Sequence, residues 1–193
     1  MLDDADYQAF PYVFGTIPGY HDDMTDPIRR AARATLRDRV GVPTKLLEVG
    51  VWEGRSACWM LDNILTHPDS RYIGVDAWVS PPEVPVTARQ HLAYHGAKAT
   101  LITGDSRVEV PDFPPTFYAA IVDGLHTYEG CRIDLANCWS KLLPGGIMIV
   151  DDYSYPGLFG VKRAVDEWMA ETGVEFEYRD AAVTAVAFRK ESE

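Results

Sequence analysis

The sequence contains few cysteines, and it has fewer basic than acidic residues. Its 193 residues include three cysteines, Cys58, Cys131 and Cys138, and no Cys-x-x-Cys pair. Neither a disulfide framework nor a zinc ribbon is therefore predicted, and a reducing, cytoplasmic compartment is expected. The 18 Lys and Arg residues against 29 Asp and Glu residues give a net charge of −11. Because a protein that binds nucleic-acid backbones needs a basic surface, this balance excludes general nucleic-acid binding.

Long apolar segments are absent as well. No segment approaches the ~18 consecutive apolar residues of a membrane span. Residues 1–10 are acidic and lack the basic start and the apolar run of a signal peptide. We therefore expect neither membrane insertion nor export. Hydrophobic residues make up 47% of the chain and charged residues 24%, which is typical of a globular domain that buries its own core.

The N-terminal region differs in pattern from the rest of the chain. Prolines and glycines are mixed with aromatic residues before Asp26, which indicates an irregular arm. Asp26 and Pro27 are a helix-start pair, and the apolar side that follows predicts an amphipathic helix through Arg39. Its arginines fit a solvated face or a docking patch for an acidic partner. We predict a single domain, 1–193, made of an arm and helix, 1–44, and a core, 45–193.

Short apolar runs alternate with segments of helical periodicity along the core. The predicted strands are residues 46–49, 72–75, 100–103, 118–122, 147–150, 174–178 and 183–188. The predicted helices between them are centred on residues 57–64, 86–94, 135–142 and 161–168. The last two strands are too close together for a crossover helix and must form an antiparallel hairpin. The predicted fold is therefore α/β, a Rossmann-like, doubly wound, mostly parallel seven-stranded sheet with a C-terminal antiparallel hairpin.

The first strand runs into a turn that contains two glycines. Gly50 and Gly54 allow a sharp turn and a close approach to a ligand, and the following helix offers free N–H groups at its start. The spacing is not Gly-x-Gly-x-x-Gly, and Glu48 places an acid where a pyrophosphate would be repelled. This turn favours a nucleoside ligand without phosphates, and it counts against an NAD(P) dehydrogenase.

Two further strand ends carry polar residues. Asp76 ends the second predicted strand, at a separation from Gly50 that suits a carboxylate accepting ribose hydroxyls. Gly104, Asp105 and Ser106 follow the third strand, where they could meet an adenine edge. An acid at a strand end can instead cap the next helix. Because ligands of such sheets bind beyond the carboxyl ends of the strands, the turns together predict a nucleoside site.

Three aspartates follow the fourth and fifth predicted strands. Asp123 closes the fourth strand, and Asp151 and Asp152 close the fifth. Two such charges ~4 Å apart repel by about 4 kcal/mol at an effective dielectric of about 20. Either one carboxylate stays protonated or a cation lies between them, and an all-oxygen site suits Mg²⁺. Alternatively, one aspartate caps a helix or pairs with Lys162 or Arg163.

His126 is a candidate general base. It lies three residues after Asp123 in the loop before the next helix, and its ordinary pKa of ~6.5 suits proton transfer near neutrality. A histidine after a strand can also be a simple loop or capping residue. His91 and His95 have the spacing of zinc ligands on a helix, but no Glu or further His lies nearby, so a zinc site is not predicted.

These motifs resemble those of the class I S-adenosylmethionine-dependent methyltransferases over about residues 46–188. The matching segments are Glu48-x-Gly50-x-x-x-Gly54, Val75-Asp76, Gly104-Asp105-Ser106, Val122-Asp123-Gly124 and Leu143-Pro144-Gly145-Gly146. Residues 123–130 and 151–153 are most similar to the macrocin O-methyltransferase-like and cephalosporin-hydroxylase-like branch. Catechol-type relatives usually have Lys where this chain has His126, whereas the sugar methyltransferases resemble this chain in having His.

The resemblance implies a role for each site residue. Those that it assigns to S-adenosylmethionine are Glu48, Gly50, Trp52 and Gly54 at the methionine part, Asp76 at the ribose, Asp105 and Ser106 near the adenine, and Asp123. Those that it assigns to Mg²⁺ or another divalent cation are Asp123, Asp151 and Asp152. Asp123 and His126 are the implied catalytic residues.

The predicted function is a divalent-metal-dependent O-methyltransferase that acts on a hydroxyl of a small molecule, of the sugar or natural-product type. The alternatives are a cephalosporin-hydroxylase-like tailoring enzyme, against which the lack of a 2-His-1-carboxylate set counts, and a non-catalytic S-adenosylmethionine-binding module. The aromatic residues that could wall an acceptor pocket are Trp52, Trp78, Tyr128, Tyr153 and Tyr155. The identity of the acceptor and the oligomeric state, including a homo-oligomer, stay open.

Overall fold

The structure is a computed structural model that describes residues 26–79, 81–179 and 184–192. The strands are β1 (Lys45–Val49), β2 (Arg71–Asp76), β3 (Ala99–Thr103), β4 (Phe117–Val122), β5 (Leu142–Val150), β6 (Phe176–Arg179) and β7 (Val186–Arg189). The helices are α1 (Asp26–Thr35), α2 (Arg55–Asn63), α3 (Glu83–Ala93), α4 (Ser106–Glu109), α5 (Tyr128–Lys141) and α6 (Phe159–Thr172). None of these helices combines the length and the apolar character needed to cross a membrane. The predicted N-terminal arm and most of the last turn lie outside the described residues.

The strands form one sheet in the order β3-β2-β1-β4-β5-β7-β6. The first five are parallel, with β1 between β2 and β4. β7 is antiparallel to both β5 and β6, so β6 forms the edge. The predicted fold is therefore confirmed. The strand order reverses between β1 and β4, and in open sheets of this kind ligands bind at that point.

The central strands bury apolar side chains on both faces of the sheet. Leu46 packs with residues of α1 and α2 on one face, whereas Leu47 packs with residues of α5 and α6 on the other. Both side chains are completely buried. Consecutive residues of a strand point to opposite faces, so the continuous apolar run of β1 requires both helical layers. This double cover fixes the carboxyl ends of β1, β4 and β5 beside one another.

The fifth strand is longer than predicted. It begins at Leu142, directly after α5, and not at residue 147. Its pairing with β4 is irregular, since Phe117 pairs with Leu142 whereas Ala119 pairs with Ile147. The extra residues contain Gly145, whose φ of +78° lies in the left-handed region that favours glycine. A bulge therefore connects two segments of β5 that both pair with β4. The apolar pattern predicted only the second of these segments.

The arginine-rich helix α1 packs more closely than a solvated face would. The guanidinium of Arg33 lies 5.3 Å from the ring centroid of Trp59. The guanidinium of Arg39, in a 3-10 turn that follows α1, lies 4.3 Å from the ring centroid of Tyr118. Arginine can cover apolar surface with its stem and stack its planar head on an aromatic ring. At these two positions the arginines therefore contribute to the packing of the domain.

Candidate active site

The turn after β1 needs glycine at two positions for steric reasons. Gly50 has a φ of +83°, and a Cβ there would lie 1.9 Å from the backbone oxygen of Asp123. Gly54 has a φ of +81°, and a Cβ there would lie 2.7 Å from Cδ1 of Leu92. An L side chain is disfavoured at both positions. The turn is therefore in close contact with the end of β4 on one side and with helix α3 on the other.

Glu48 supports this turn from inside the domain. Its side chain is completely buried, and its two carboxylate oxygens accept hydrogen bonds from the hydroxyls of Ser56 and Tyr72. Burial raises the pKa of Glu48 to about 8, because a charged carboxylate is poorly solvated there. The predicted contact of Glu48 with the methionine part of a ligand stays a prediction.

Asp76 orders the turns that follow both β1 and β2. One carboxylate oxygen accepts the backbone N–H groups of Val51 and Trp52, at 2.8 and 2.9 Å. The other oxygen accepts the N–H of Trp78 at 2.6 Å. Trp52 and Trp78 have φ values of 52° and 40°, which are unusual for bulky residues. The carboxylate keeps further acceptor capacity, and the predicted ribose contact stays a prediction.

The turn after β3 is held by two different carboxylates. Asp105 caps α4 and binds the side chain of Arg107, whose hydrogen bonds lower the pKa of Asp105 to about 2. The Ser106 hydroxyl donates to Asp134 at 2.6 Å. Burial raises the pKa of Asp134, on α5, to about 6. Sequence reasoning missed Asp134, although its position on the apolar side of α5 is a signal that could have identified it.

Asp123, His126 and Asp152 form a cluster at the carboxyl ends of β4 and β5. Nε2 of His126 lies 2.8 Å from Oδ2 of Asp152 and 3.8 Å from Oδ1 of Asp123. One ligand atom from each of the three lies within 4.8 Å of the others, so they could hold a metal ion. Among the described residues, Asp151 is not in this group. It is buried, and it accepts a hydrogen bond from Thr184 at 3.2 Å.

The structure groups Asp123 and Asp152 with His126 and leaves Asp151 out of this group, and the metal-binding role of the three aspartates stays a prediction. Asp152 has a φ of 59°, which turns the chain directly after the strand. Asp152 thus approaches Asp123, and His126 completes the group, whereas Asp151 lines the adjoining cavity and accepts a hydrogen bond from Thr184. The alternative ion pairs with α6 do not form, since Lys162 and Arg163 bind other carboxylates of that helix.

Protons relieve the repulsion in this acidic cluster. Pairing with Asp123, and then with Asp152, raises the pKa of His126 to about 10. Burial raises the pKa of Asp123 to about 6, and burial followed by the charge of Asp123 raises that of Asp151 far above its ordinary value. The pKa of His126 thus lies above the ordinary value that suits a base near neutrality, because two carboxylates stabilise its charged form, and its role as general base stays a prediction. At neutral pH the imidazole is therefore charged.

A small cavity adjoins the cluster between the ends of β4 and β5 and the starts of α5 and α6. Its lining residues are Val122, Asp123, Gly124, Leu125, His126, Cys131, Val150, Asp151 and Val161. Burial raises the pKa of the Cys131 thiol to about 12, so this cysteine is not an activated nucleophile. The polar chemistry of the cavity is confined to the aspartates and His126.

The aromatic residues predicted to wall a pocket separate into three places. Trp52 and Trp78 lie in the turns held by Asp76. The hydroxyls of Tyr128 and Tyr153 donate to carboxylates of α6. Tyr155 is half exposed beyond the end of β5. These five residues therefore do not form one aromatic wall of a pocket.

Comparisons with known proteins identify the family of this chain. A family profile described as a methyltransferase domain matches residues 47–153. A Streptomyces olivaceus protein, 8-demethyl-8-(2,3-dimethoxy-alpha-L-rhamnosyl)-tetracenomycin-C 4'-O-methyltransferase, is 26% identical over 83% of this chain and 75% of its own.

Solved structures share the fold at lower identity. The apo structure of CalS11, a TDP-rhamnose 3'-O-methyltransferase of calicheamicin biosynthesis, has a TM-score of 0.68 and 23% identity, covering 88% of this chain and 80% of its own. The O-methyltransferase TomG from Streptomyces achromogenes, in complex with S-adenosylmethionine, has a TM-score of 0.62 and 18% identity, covering 84% and 80%. The glycine turn and the strand-end carboxylates lie within the residues that the family profile matches. The chain therefore belongs to the methyltransferase domain family and is an S-adenosylmethionine-dependent enzyme.

Proposed function

We propose that this enzyme transfers the methyl group of S-adenosylmethionine to a hydroxyl of a sugar-bearing small molecule. The observation that carries the proposal is the Asp123–His126–Asp152 cluster, which lies next to the glycine turn because Gly50 contacts the backbone of Asp123. The relatives named as rhamnosyl-tetracenomycin and TDP-rhamnose O-methyltransferases support a sugar hydroxyl as acceptor.

The residues around the glycine turn would bind the cofactor. Gly50, Trp52 and Gly54 would approach its methionine end, supported by the buried Glu48. Asp76 would accept the ribose hydroxyls with its remaining lone pairs. Asp105 and Ser106 lie in the turn that Asp134 holds, and they would adjoin the adenine. The cofactor, when bound, supplies an electrophilic methyl group, whose bond to sulfur breaks as the bond to the acceptor oxygen forms.

The acidic cluster would position the acceptor hydroxyl and receive its proton. Asp123 and Asp152 offer oxygen acceptors on the side of the cofactor turn. His126 can accept a proton only when the field of these carboxylates is neutralised, since they raise the pKa of its imidazole to about 10. Orienting the oxygen for in-line displacement is expected to supply much of the rate acceleration.

The same three side chains would hold a divalent cation. Two carboxylates and one imidazole suit Mg²⁺ or Mn²⁺, and such an ion supplies Lewis-acid polarisation of an oxygen. We propose Asp123, Asp152 and His126 as its ligands, in place of the trio with Asp151. We also propose that residues 1–193 act as one domain, with residues 1–44 contributing to the acceptor pocket.

Formation of S-adenosylhomocysteine from S-adenosylmethionine tests the proposal directly. Purified enzyme is incubated with α-L-rhamnosides, before and after thorough chelation and with Mg²⁺ or Mn²⁺ restored. We expect methylation of a sugar hydroxyl that chelation abolishes and metal restores. Unchanged turnover after metal removal would refute the metal requirement alone. Methylation of catechols in preference to every glycoside would refute the sugar acceptor.

A further inference from the structure

Three exposed apolar residues lie in the segments that adjoin the acidic cluster. Leu125, Tyr155 and Phe159 have exposed fractions of 46%, 48% and 78%. We call these three residues the apolar rim. Large apolar side chains grouped beside a polar site are typical of surfaces that bind a ligand.

Each member of the apolar rim is linked to the cluster through the backbone. Leu125 precedes His126, and both line the same small cavity. The N–H of Tyr155 donates to the backbone oxygen of Asp152 at 3.3 Å. Phe159 precedes Gly160, where a Cβ would lie 2.9 Å from the backbone oxygen of His126. A ligand with one oxygen at the cluster therefore has its remaining parts within reach of the rim.

The two basic residues that follow Phe159 on α6 are paired with acids of the same helix. Lys162 binds Asp166, and Nε of Arg163 lies 2.8 Å from Oε1 of Glu167. The guanidinium of Arg179, at the end of β6, is stacked 5.6 Å from the ring centroid of Tyr153.

The N-terminal residues add no Lys or Arg. Residues 1–26 contain six aspartates and no Lys or Arg, and the whole chain carries a net charge of −11. A diphosphate is recognised mainly by unpaired Arg or Lys groups and free backbone N–H groups. Lys162 and Arg163 are paired and residues 1–26 contain no Lys or Arg, so these parts of the chain offer a diphosphate no unpaired basic side chain, whereas an uncharged ring system needs none.

We propose that the apolar rim binds an uncharged, apolar aglycone, and that the acceptor is a sugar already attached to that aglycone. This inference rests on the proposed function, because it assumes that a sugar hydroxyl lies at the cluster. It places the reaction after a glycosyl transfer, since the sugar must leave its nucleotide diphosphate before it is methylated. A nucleotide-diphosphate sugar is correspondingly a poor acceptor.

Three rhamnose probes and one pair of variants test this inference. The probes are 1-naphthyl α-L-rhamnoside, methyl α-L-rhamnoside and TDP-L-rhamnose. The variants are the double substitution Leu125→Ala with Phe159→Ala, and the control Ile133→Ala, which truncates an exposed side chain on α5. We expect the wild-type kcat/KM for the naphthyl glycoside to exceed that for each other probe by at least about tenfold, since burying aromatic surface strengthens binding. The double variant is expected to reduce this preference to below about threefold, and the control to retain it.

Binding is measured separately by quenching of naphthyl fluorescence in the presence of S-adenosylhomocysteine. Binding that the double variant abolishes and the control keeps would support the rim even if no methyl group were transferred, and only the proposed function would then fail. Absence of binding at millimolar probe, binding that the double variant leaves unchanged, or a preference for TDP-L-rhamnose would each overturn the inference.

Discussion

Nε2 of His126 lies 2.8 Å from Oδ2 of Asp152, which joins the loops that follow two neighbouring parallel strands. The contact depends on the left-handed backbone of Asp152, with a φ of 59°. This conformation is uncommon outside glycine, although Asp and Asn tolerate it better than other residues. A residue held in such a conformation at the mouth of a cleft is a candidate for a functional role.

The substitution Asp152→Asn should remove activity and leave the fold intact. Asparagine adopts the same backbone conformation, but it cannot supply the negative charge that faces His126. We expect kcat for the best acceptor to fall by at least about a hundredfold, a loss typical of a removed polar group at a reacting centre. Steady-state formation of S-adenosylhomocysteine measures the loss. Calorimetry should find cofactor affinity within about threefold of wild type.

The matched control for this prediction is Asp112→Asn, which alters an exposed acid in a turn before β4. It should leave kcat unchanged. Equal activity of wild type and Asp152→Asn would show that Asp152 is not part of the reacting centre.

The composition of the metal site can be measured with Mn²⁺. The structure groups Asp123 with His126 and Asp152, whereas the sequence predicted Asp123, Asp151 and Asp152. Asp123→Asn is expected to weaken Mn²⁺ binding at least about tenfold, because a charged oxygen ligand is lost. Asp151→Asn should change the Kd by less than about threefold, since Asp151 is buried and bonded to Thr184. Electron paramagnetic resonance of free Mn²⁺ gives both constants. Equal weakening of Mn²⁺ binding in the two variants would instead support the ligands predicted from sequence, Asp123, Asp151 and Asp152.

Stability should depend on pH through Glu48. The folded-state pKa of about 8 lies above the ordinary value of 4.5, so the folded chain keeps a proton that the unfolded chain releases between these values. Stability from this group is therefore present at low pH and is lost as pH rises from about 5 to about 8. Glu48→Gln stays neutral and can still bond both hydroxyls. Its free energy of unfolding relative to wild type should increase by at least about 1 kcal/mol over this range.

Urea unfolding at about pH 5 and about pH 8.5 measures that difference for Glu48→Gln. The control Glu83→Gln changes an exposed acid at the start of α3 and should give the same difference at both values. A pH-independent gap between Glu48→Gln and wild type would mean that Glu48 is charged in the folded protein.

The sequence predicts the fold better than it predicts the site. Apolar runs such as that of β1 fix which residues are buried, and the short connection before β7 permits only an antiparallel pairing. The grouping of Asp123 with Asp152 follows from neighbouring strands. The addition of His126 and the absence of Asp151 from that group, however, depend on the backbone angle at Asp152, which no local pattern encodes.

Electrostatic properties are still less accessible from sequence. The ordinary pKa of His126 suits a base, but hydrogen bonds to Asp123 and then to Asp152, the latter with a separation of 2.8 Å, raise that pKa to about 10. That distance is set by two loops and by the packing beneath them. Asp134 was missed for a related reason, because its contact with Ser106 joins residues that are far apart in the sequence.

A pair of glycine variants can distinguish the effect of the close contact between Gly50 and Asp123 from the effect of a left-handed φ angle alone. Gly41 and Gly50 both have left-handed backbones, with φ values of +74° and +83°. A Cβ at Gly41 would meet nothing within 4 Å, whereas at Gly50 it would lie 1.9 Å from the backbone of Asp123. Gly41→Ala should therefore cost only the conformational strain of about 1–2 kcal/mol. Gly50→Ala should cost several kcal/mol more, because the ends of β1 and β4 must separate.

Thermal unfolding compares the two glycine variants under identical conditions. For a domain of this size each kcal/mol corresponds to about 2–4 °C in Tm, so Gly50→Ala should unfold at a clearly lower temperature than Gly41→Ala. S-adenosylhomocysteine should raise the Tm of Gly41→Ala as it does that of wild type, since a ligand that binds only the folded state stabilises it. It should fail to do so for Gly50→Ala, in which the cofactor turn is displaced. Equal Tm values and equal ligand responses would mean that the turn can move away from Asp123 without cost, and the cofactor turn and the acidic cluster would then not be mechanically linked.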